Sequence, residues 1–487
     1  MTDFDAIPTA DRQNESQRNT PGGSPAMGLY GVKVWVCVLG CRSNLYDGDA
    51  IAGDLTARGA IVAERPEGCR AAVIVSCSVT AVADKKCRQA VRRARREFGK
   101  GGEKGIVAVC GCWAQGLDAR EAKELGVDIL AGSRRKSALP EALEAAIASE
   151  PPHDLMDMRK NPDARTWDPL TLDRPVLRTR AFLKVQEGCD HFCSYCVIPF
   201  LRGRSTSRPL EEALNEARRV VEAGCGEIVL TGIHLGVYGR DRGSSPDKGS
   251  SLAELVRRVS DIPGLARLRL GSLEPFALDD DLLDALASSP VFCPHLHLPL
   301  QSGDDQVLSR MRRGYTADAF ARVCDRARGK LGDDLHISSD VLVAFPGESE
   351  KAFRGTLALM ERVRLGRVHV FSYSPRRGTL AAGFPDRVPP RTAVERMKAA
   401  VAAGEELLTR YASRFVGRDL SVLVESGGDE GGGFTGYTRN FVSTGVRHMG
   451  NPSAENPGVG REALVRMTDC VKGELRGYPI KNKNERT

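Results

Sequence analysis

Between residues 31 and 145, short apolar β-rich runs alternate with helical stretches: VKVWVCVLG, a helix near Asp47 to Arg58, AAVIVSC, a basic helix near Asp84 to Phe98, and GIVAVCG. Strands alternating with helices predict an α/β layer on a parallel sheet. From residue 181 six further β-like runs follow: AFLKVQ, EIVLTG, RLRLGS, HLHLPL, HISSDVLVAF and VHVFSYS. Helical patterns separate most of them. The first, Pro209 to Ala223, opens on proline and places Leu210, Ala213, Leu214, Ala217, Val220 and Val221 on one face. The others are expected near Leu252 to Ser260, Asp279 to Ala287, Thr316 to Leu331 and Glu350 to Arg364. Six such units predict a partial (β/α)6 TIM-like barrel with its chemistry at the carboxyl ends of the strands. After a helix near Thr392 to Phe415, short strands and Gly-rich turns (DLSVLVES, GFTGYTRNFVSTGV, EALVRMTDCVKGELRG) predict a small all-β barrel.

The chain of 487 residues therefore divides into a polar, disordered lead (1–30), a parallel-sheet α/β domain (31–145), a linker (146–174), the barrel core (175–405) and the small β-barrel (411–476). The lead has no apolar segment of the kind a secretory signal needs. The longest nearly uncharged apolar stretch, Ala71 to Ala83, falls short of the ~18 residues of a membrane span. A cytoplasmic protein without a membrane partner is expected. In a reducing compartment, 14 cysteines point to metal ligation and buried thiols before disulfides. The 70 Lys and Arg against 63 Asp and Glu give a charge of +7, compatible with a nucleic-acid partner and equally with a solvated surface. Arg92, Arg93, Arg95 and Arg96 read as a solvated helix face, whereas Arg202, Arg204 and Arg208 could grip phosphate.

The chemistry lies in two sets of three cysteines. Cys189, Cys193 and Cys196 crowd into GCDHFCSYC, one ligand short of a closed site. Three thiolates can hold three irons of a [4Fe-4S] cluster and leave the fourth open to an outside ligand. A structural zinc site that recruits His191 is the alternative. Cys41, Cys77 and Cys112 are far apart in the chain, but each falls at or just past the end of a strand, about one βα repeat from the next. Ligands collect at the carboxyl ends of parallel strands, so these thiols should converge. The bland reading is that they are small buried residues. That reading suits Cys37 and Cys110, inside their strands, and Cys69, Cys87, Cys225, Cys293, Cys324 and Cys470.

The Cys-x3-Cys-x-aromatic-Cys loop after AFLKVQEG resembles that of the radical S-adenosylmethionine (SAM) enzymes. LGCRSNLYDGD, VSCSVTAVADKKCRQ and CGCWAQ resemble the N-terminal domain of the methylthiotransferases within that superfamily. The resemblance implies two [4Fe-4S] clusters, an auxiliary one on Cys41, Cys77 and Cys112 and one on Cys189, Cys193 and Cys196 that binds and cleaves SAM. It places Tyr195 beside adenine and suggests SAM contacts at Thr231, Gly232, Ser272, Glu274, Gln301, Ser302, Phe345 and Gly347. Any one of these could instead be turn chemistry. VLVAFPGESE departs from the family pattern by Ala344 in place of Gly. The C-terminal barrel resembles the RNA-binding TRAM domain.

QEGCDHFCSYCVIPFLRG, EIVLTGIHLGVYG, with His234, and LPLQSGDDQVLSRMRRGYT look most like the branch that modifies N6-threonylcarbamoyladenosine beside the tRNA anticodon. Sister branches act on isopentenyladenosine in tRNA or on a ribosomal-protein aspartate. The resemblance implies the tRNA anticodon stem-loop as substrate, an electron donor such as flavodoxin or ferredoxin, and a monomer. Beyond the clusters it assigns no catalytic residue. The rival from another class is a non-catalytic iron-sulfur protein that binds RNA or transfers electrons.

Overall fold

The computed structural model describes residues 28–100, 104–148, 154–160, 165–241, 251–427, 433–447 and 457–480, so most of the expected lead lies outside the described residues. These residues form two compact units, 28–191 with 197–208, and 192–196 with 209–480.

The first unit is built on a six-stranded sheet of β1 (Lys33–Val38), β2 (Ile61–Ala63), β3 (Ala71–Ser76), β4 (Ile106–Gly111), β5 (Ile129–Ala131) and β6 (Met156–Asp157), in the order β2-β1-β3-β4-β5-β6. Every pairing is parallel. β3 and β4 are buried along their whole length, as uninterrupted apolar runs in a sheet covered on both faces must be. The helices are α1 (Arg42–Ala57), α2 (Ala81–Lys100), α3 (Cys112–Gly116), α4 (Ala119–Leu125) and α5 (Leu139–Ala148). Helix α1 starts five residues before the expected Asp47, because Cys41 already takes the N-cap position and accepts the first helical bonds from Asn44 and Leu45. The unit also holds β7 (Ala181–Glu187), α6 (Ile198–Arg202) and β8 (Thr206–Ser207), with β8 antiparallel to β7.

The second unit continues the strand-helix repeat: α7 (Leu210–Glu222), β9 (Glu227–Gly232), α8 (Leu252–Ser260), β10 (Arg267–Leu270), α9 (Asp280–Ser288), β11 (His295–His297), α10 (Asp305–Met311), α11 (Ala317–Leu331), β12 (His336–Val343), α12 (Glu350–Arg362), β13 (Arg367–Ser372) and α13 (Pro390–Ser413). β9 pairs with β10, and β11 with β12 and β13, all parallel. Helix α7 buries Leu210, Ala213, Leu214, Ala217 and Val220 as the sequence pattern requires, with Glu216 buried and Val221 only half-buried. The strands and helices of residues 181–413 are those of a partial TIM-like barrel core. Strands β14 (Asp419–Gly427), β15 (Phe434–Thr438), β16 (Ser443–Val446), β17 (Glu462–Val471) and β18 (Glu474–Pro479) then form a closed barrel, β14-β15-β16-β18-β17.

Polar groups lock this small barrel to the core. Arg269 donates to the carbonyls of Arg439 and Thr438 at 2.7 and 2.9 Å and to Glu227 at 2.8 Å. Arg267 pairs with Glu462 and donates to Tyr437 and Ser421 carbonyls. Arg439 returns the contact to the Ala266 carbonyl at 3.0 Å, so it too is a docking residue.

Candidate active site: two cysteine triads

Cys41, Cys77 and Cys112 leave the sheet where β1, β3 and β4 end, and these are adjacent strands. Gly40 leaves room for Cys77, since a Cβ there would stand 2.6 Å from its Sγ. Gly111 turns β4 into α3 with φ +97°, a conformation open to glycine, and its bare Cα faces the Ser76 carbonyl. Cys77 and Cys112 are buried and Cys41 is half-buried. Burial pushes the Cys77 thiol up, and neighbouring charge on Cys41 and Cys112 pushes it further. Cys41 also takes the N-cap position of the 16-residue α1.

Beneath this triad lies a fully buried ionic cluster. Lys136 donates to Asp47 at 2.7 Å, Lys184 to Asp47 at 2.5 Å, and Arg202 to Glu187 at 2.8 Å. Both carboxylates stay ionised: burial pushes Asp47 and Glu187 up, but the surrounding cations outweigh it and hold both below the ordinary range. Arg202 uses its remaining nitrogens on the triad. Its Nε donates to Cys112 Sγ at 2.9 Å and its Nη2 to Asn44 Oδ1 at 2.6 Å. Asn44 in turn donates to the Leu39 and Ser76 carbonyls, tying the ends of β1 and β3 together.

These contacts correct the phosphate expectation for Arg202. Its guanidinium is spent inside the protein, because a buried cation must be paired. Arg134 is likewise consumed by the carbonyls of Arg202, Arg204 and Thr166. In the α2 run, Arg95 pairs with Asp128, so that face is not wholly solvated.

In the other triad, Cys189 belongs to the first unit. Its N–H donates to the Gly203 carbonyl at 3.0 Å, and its Sγ accepts from the His191 N–H at 3.4 Å. Gly188 before it has φ +72°, and a Cβ there would collide with the Arg204 carbonyl. Cys193 and Cys196 belong to the second unit. The Cys196 N–H donates to the Cys193 carbonyl at 3.0 Å, and Ser194 is held by the Met311, Arg310 and Ala381 backbone. Arg313 donates to Cys193 Sγ at 3.2 Å and pairs with Glu274. All three cysteines are half-buried.

The expected SAM contacts divide. Thr231 and Gly232 end β9, Ser272 bridges to His297, and Gln301 sits past β11 with φ +64° and its N–H on the Asp340 carbonyl. Glu274 is taken up by Arg313. Ser302 is fully buried and faces Thr356 at 3.4 Å while accepting from the Asp304 N–H at 3.3 Å, so its hydroxyl serves the turn into α10. Phe345 is a core residue, edge-on to Tyr195 at 6.3 Å and packed with Phe384 and Tyr373. Gly347 lies under Arg310, whose Cζ would meet a Cβ at 2.9 Å. Ala344 takes φ +61° despite its methyl group, held by its N–H on Glu348 Oε2 at 2.7 Å. His234, just past β9, is buried and edge-on to the exposed ring of Phe276.

The donor chemistry suits iron-sulfur clusters. Each thiolate of a four-iron cluster binds its own iron, so three thiols leave one iron open. Arginine donors on Cys112 and Cys193 fit sulfurs that carry negative charge.

A partial barrel whose first strand leads into a three-cysteine loop defines a radical SAM protein, and residues 183–360 match the radical SAM superfamily. Residues 33–132 match the uncharacterized protein family UPF0004. The chain is 36% identical over 408 residues to threonylcarbamoyladenosine tRNA methylthiotransferase MtaB of Bacillus subtilis (83% of this chain, 88% of that protein). It is 35% identical over 450 residues to tRNA-2-methylthio-N(6)-dimethylallyladenosine synthase of Syntrophotalea carbinolica (91% and 98%). Among solved structures, the radical SAM methyltransferase TsrM of Kitasatospora setae shares the fold at a TM-score of 0.50 and 16% identity (71% of this chain, 77% of that one). The chain belongs to the radical SAM methylthiotransferases. It is an enzyme that uses SAM and a [4Fe-4S] cluster.

Proposed function

We propose that this methylthiotransferase converts N6-threonylcarbamoyladenosine beside the tRNA anticodon to its 2-methylthio derivative, with two [4Fe-4S] clusters. Cys189, Cys193 and Cys196 would hold one cluster and Cys41, Cys77 and Cys112 the other. The observation that supports the second is that three thiols follow the ends of three adjacent strands and that one of them, Cys112, accepts a hydrogen bond from the buried Arg202. When bound, the first cluster supplies the electron that cleaves SAM and the second supplies the sulfur that is transferred.

The chain's own residues hold and orient these groups. Arg313 fixes Cys193 and is itself fixed by Glu274, so Glu274 acts behind the cysteine loop. Tyr195, Thr231, Gly232, Ser272, Gln301 and Gly347 remain the candidates for SAM itself. Ser302 and Phe345 would support them from behind, because their side chains face the turn and the core. The anticodon stem-loop is the proposed substrate, delivered to a monomer in the cytoplasm with flavodoxin or ferredoxin as reductant. Among the described residues no helix is long and apolar enough to cross a membrane.

The threonylcarbamoyl branch rests on the TGIHLG strand end with His234 and on the Bacillus relative. The comparably similar dimethylallyladenosine synthase supports a second reading. Nucleoside mass spectrometry of tRNA from cells lacking the gene separates them. Loss of 2-methylthio-threonylcarbamoyladenosine with its precursor retained is expected. Loss of the methylthiolated isopentenyl nucleoside instead would transfer the enzyme to the second branch.

A further inference from the structure

Arg202 stands apart from the other two cations of this ionic cluster, Lys136 and Lys184, because one of its nitrogens points at a sulfur. Lys136 and Lys184 are satisfied by carboxylates, with Asp47 shared between them and Glu187 at 3.6 and 3.3 Å. Arg202 spans from Glu187 to Cys112 and closes the cluster on its upper side. Three cations face two carboxylates, and the buried Arg134 and Asp168 beside them add one charge of each sign, so one net positive charge lies buried next to Cys112. A four-iron core in its oxidised resting state on three thiolates carries about one net negative charge. The two charges match, and Arg202 is the point of contact.

Anchoring of this arginine is unusually complete. Ser133 Oγ holds the Leu201 carbonyl at 2.6 Å, and Arg134 holds the carbonyls of Arg202 and Arg204 at 3.0 and 2.6 Å. The next residue, Gly203, accepts the Cys189 N–H. One short segment therefore fixes the backbone of a cysteine of one triad and the sulfur of a cysteine of the other.

We propose that Arg202 is a positioning residue that sets the reduction potential of the cluster on Cys41, Cys77 and Cys112, through its hydrogen bond to Cys112 and the net charge of the ionic cluster behind it. Hydrogen bonds to thiolate sulfur and nearby positive charge favour the reduced, more negative state and raise the potential. Glu187 opposes that effect by lowering the net charge while holding Arg202 in place. The two residues must therefore act with opposite sign, which a purely structural role would not produce. This inference rests on the two-cluster reading above.

The test uses full-length protein in which Cys189, Cys193 and Cys196 are all replaced by Ala, so that a single cluster site is left. After anaerobic reconstitution with iron and sulfide, iron is counted and the midpoint potential is followed by electron paramagnetic resonance. About four irons per chain are expected; absence of iron would sink the two-cluster reading itself. In that background Arg202→Gln should move the midpoint negative, Arg202→Lys less so, and Glu187→Gln positive. A midpoint that stays put in Arg202→Gln with the irons retained overturns the proposal. If Arg202→Gln does not fold, Glu187→Gln decides: an unchanged or negative shift overturns the proposal equally.

Discussion

The guanidinium Nε of Arg202 lies 2.9 Å from the sulfur of Cys112, across 90 residues of chain. Through this contact the loop that follows Cys189, Cys193 and Cys196 reaches the triad on the N-terminal sheet. In the proposed division of labour one triad generates the radical and the other carries the sulfur, so the two should separate genetically. Cys193→Ala should abolish both SAM cleavage and methylthio transfer. Cys112→Ala should keep reductive SAM cleavage, read as 5′-deoxyadenosine by chromatography, while methylthiolated nucleoside falls to background. Continued methylthio transfer by Cys112→Ala would remove that cysteine from the account.

Gly188 offers a test of the cysteine-loop geometry. It combines φ +72° with direct backbone contact at Gly203 and Arg204, so Ala should be strained and also displaced. Gly188→Ala is expected to destabilise by about 3 kcal/mol. Gly53, inside α1 with open space around it, is the matched control, and Ala there should stabilise by about 0.5–1 kcal/mol. Urea unfolding of both variants checks the contrast; equal effects would mean that the close approach at Gly188 is not rigid.

The docking of the small β-barrel depends on a buried pair. Arg269→Ala would leave Glu227 with the longer 3.5 Å contact to Arg267 and release two carbonyls of β15 and its turn. A loss of about 3 kcal/mol follows from removing one partner of a buried charge. Adding Glu227→Gln should recover part of that loss, because the under-compensated charge is then gone. Chemical denaturation of the single and double variants reads this directly, and strict additivity would argue against the pair.

His336 gives a pH dependence with a definite sign. Burial drives its pKa down to about 3, against a hydrogen bond from Nδ1 to the Asn440 carbonyl, with Arg367, Arg269 and His369 pushing the same way as burial. Its ring also stacks on Tyr411 at 4.5 Å. In the unfolded chain the same group titrates near ~6.5. Below that value the unfolded state takes up a proton that the folded state refuses, so stability falls as pH drops from ~6.5 toward the folded pKa. Between pH 7 and pH 5 the protein should lose about 2 kcal/mol more than His336→Gln does. Parallel denaturation curves for the two proteins over that range would contradict the assignment.

The strand-helix rhythm and the small barrel were legible in the sequence, because periodicity and spacing are local properties. Cys41, Cys77 and Cys112 could be placed at strand ends without knowing the strand order, and their adjacency followed from the parallel sheet. Arg202 and Arg313 were not legible as donors to sulfur, nor Glu187 as the anchor of Arg202. Arg202 resembles any basic residue after a loop, and its role depends on a contact 90 residues away. For Ser302 and Phe345 a strand-end position suggests a ligand contact, and what the sequence does not show is that their side chains pack against Thr356 and Tyr195. Ala344 shows that the left-handed bend expected of glycine is kept by the Glu348 carboxylate that accepts its N–H.

The two-cluster claim is tested most directly by iron and sulfide analysis of anaerobically reconstituted wild-type protein beside its two triad variants. About eight irons and eight sulfides per chain are expected for the wild type, and about four of each when either Cys41, Cys77 and Cys112 or Cys189, Cys193 and Cys196 are replaced by Ala. A wild-type protein that saturates at about four irons, or a Cys41, Cys77 and Cys112 variant with undiminished iron, would contradict the account.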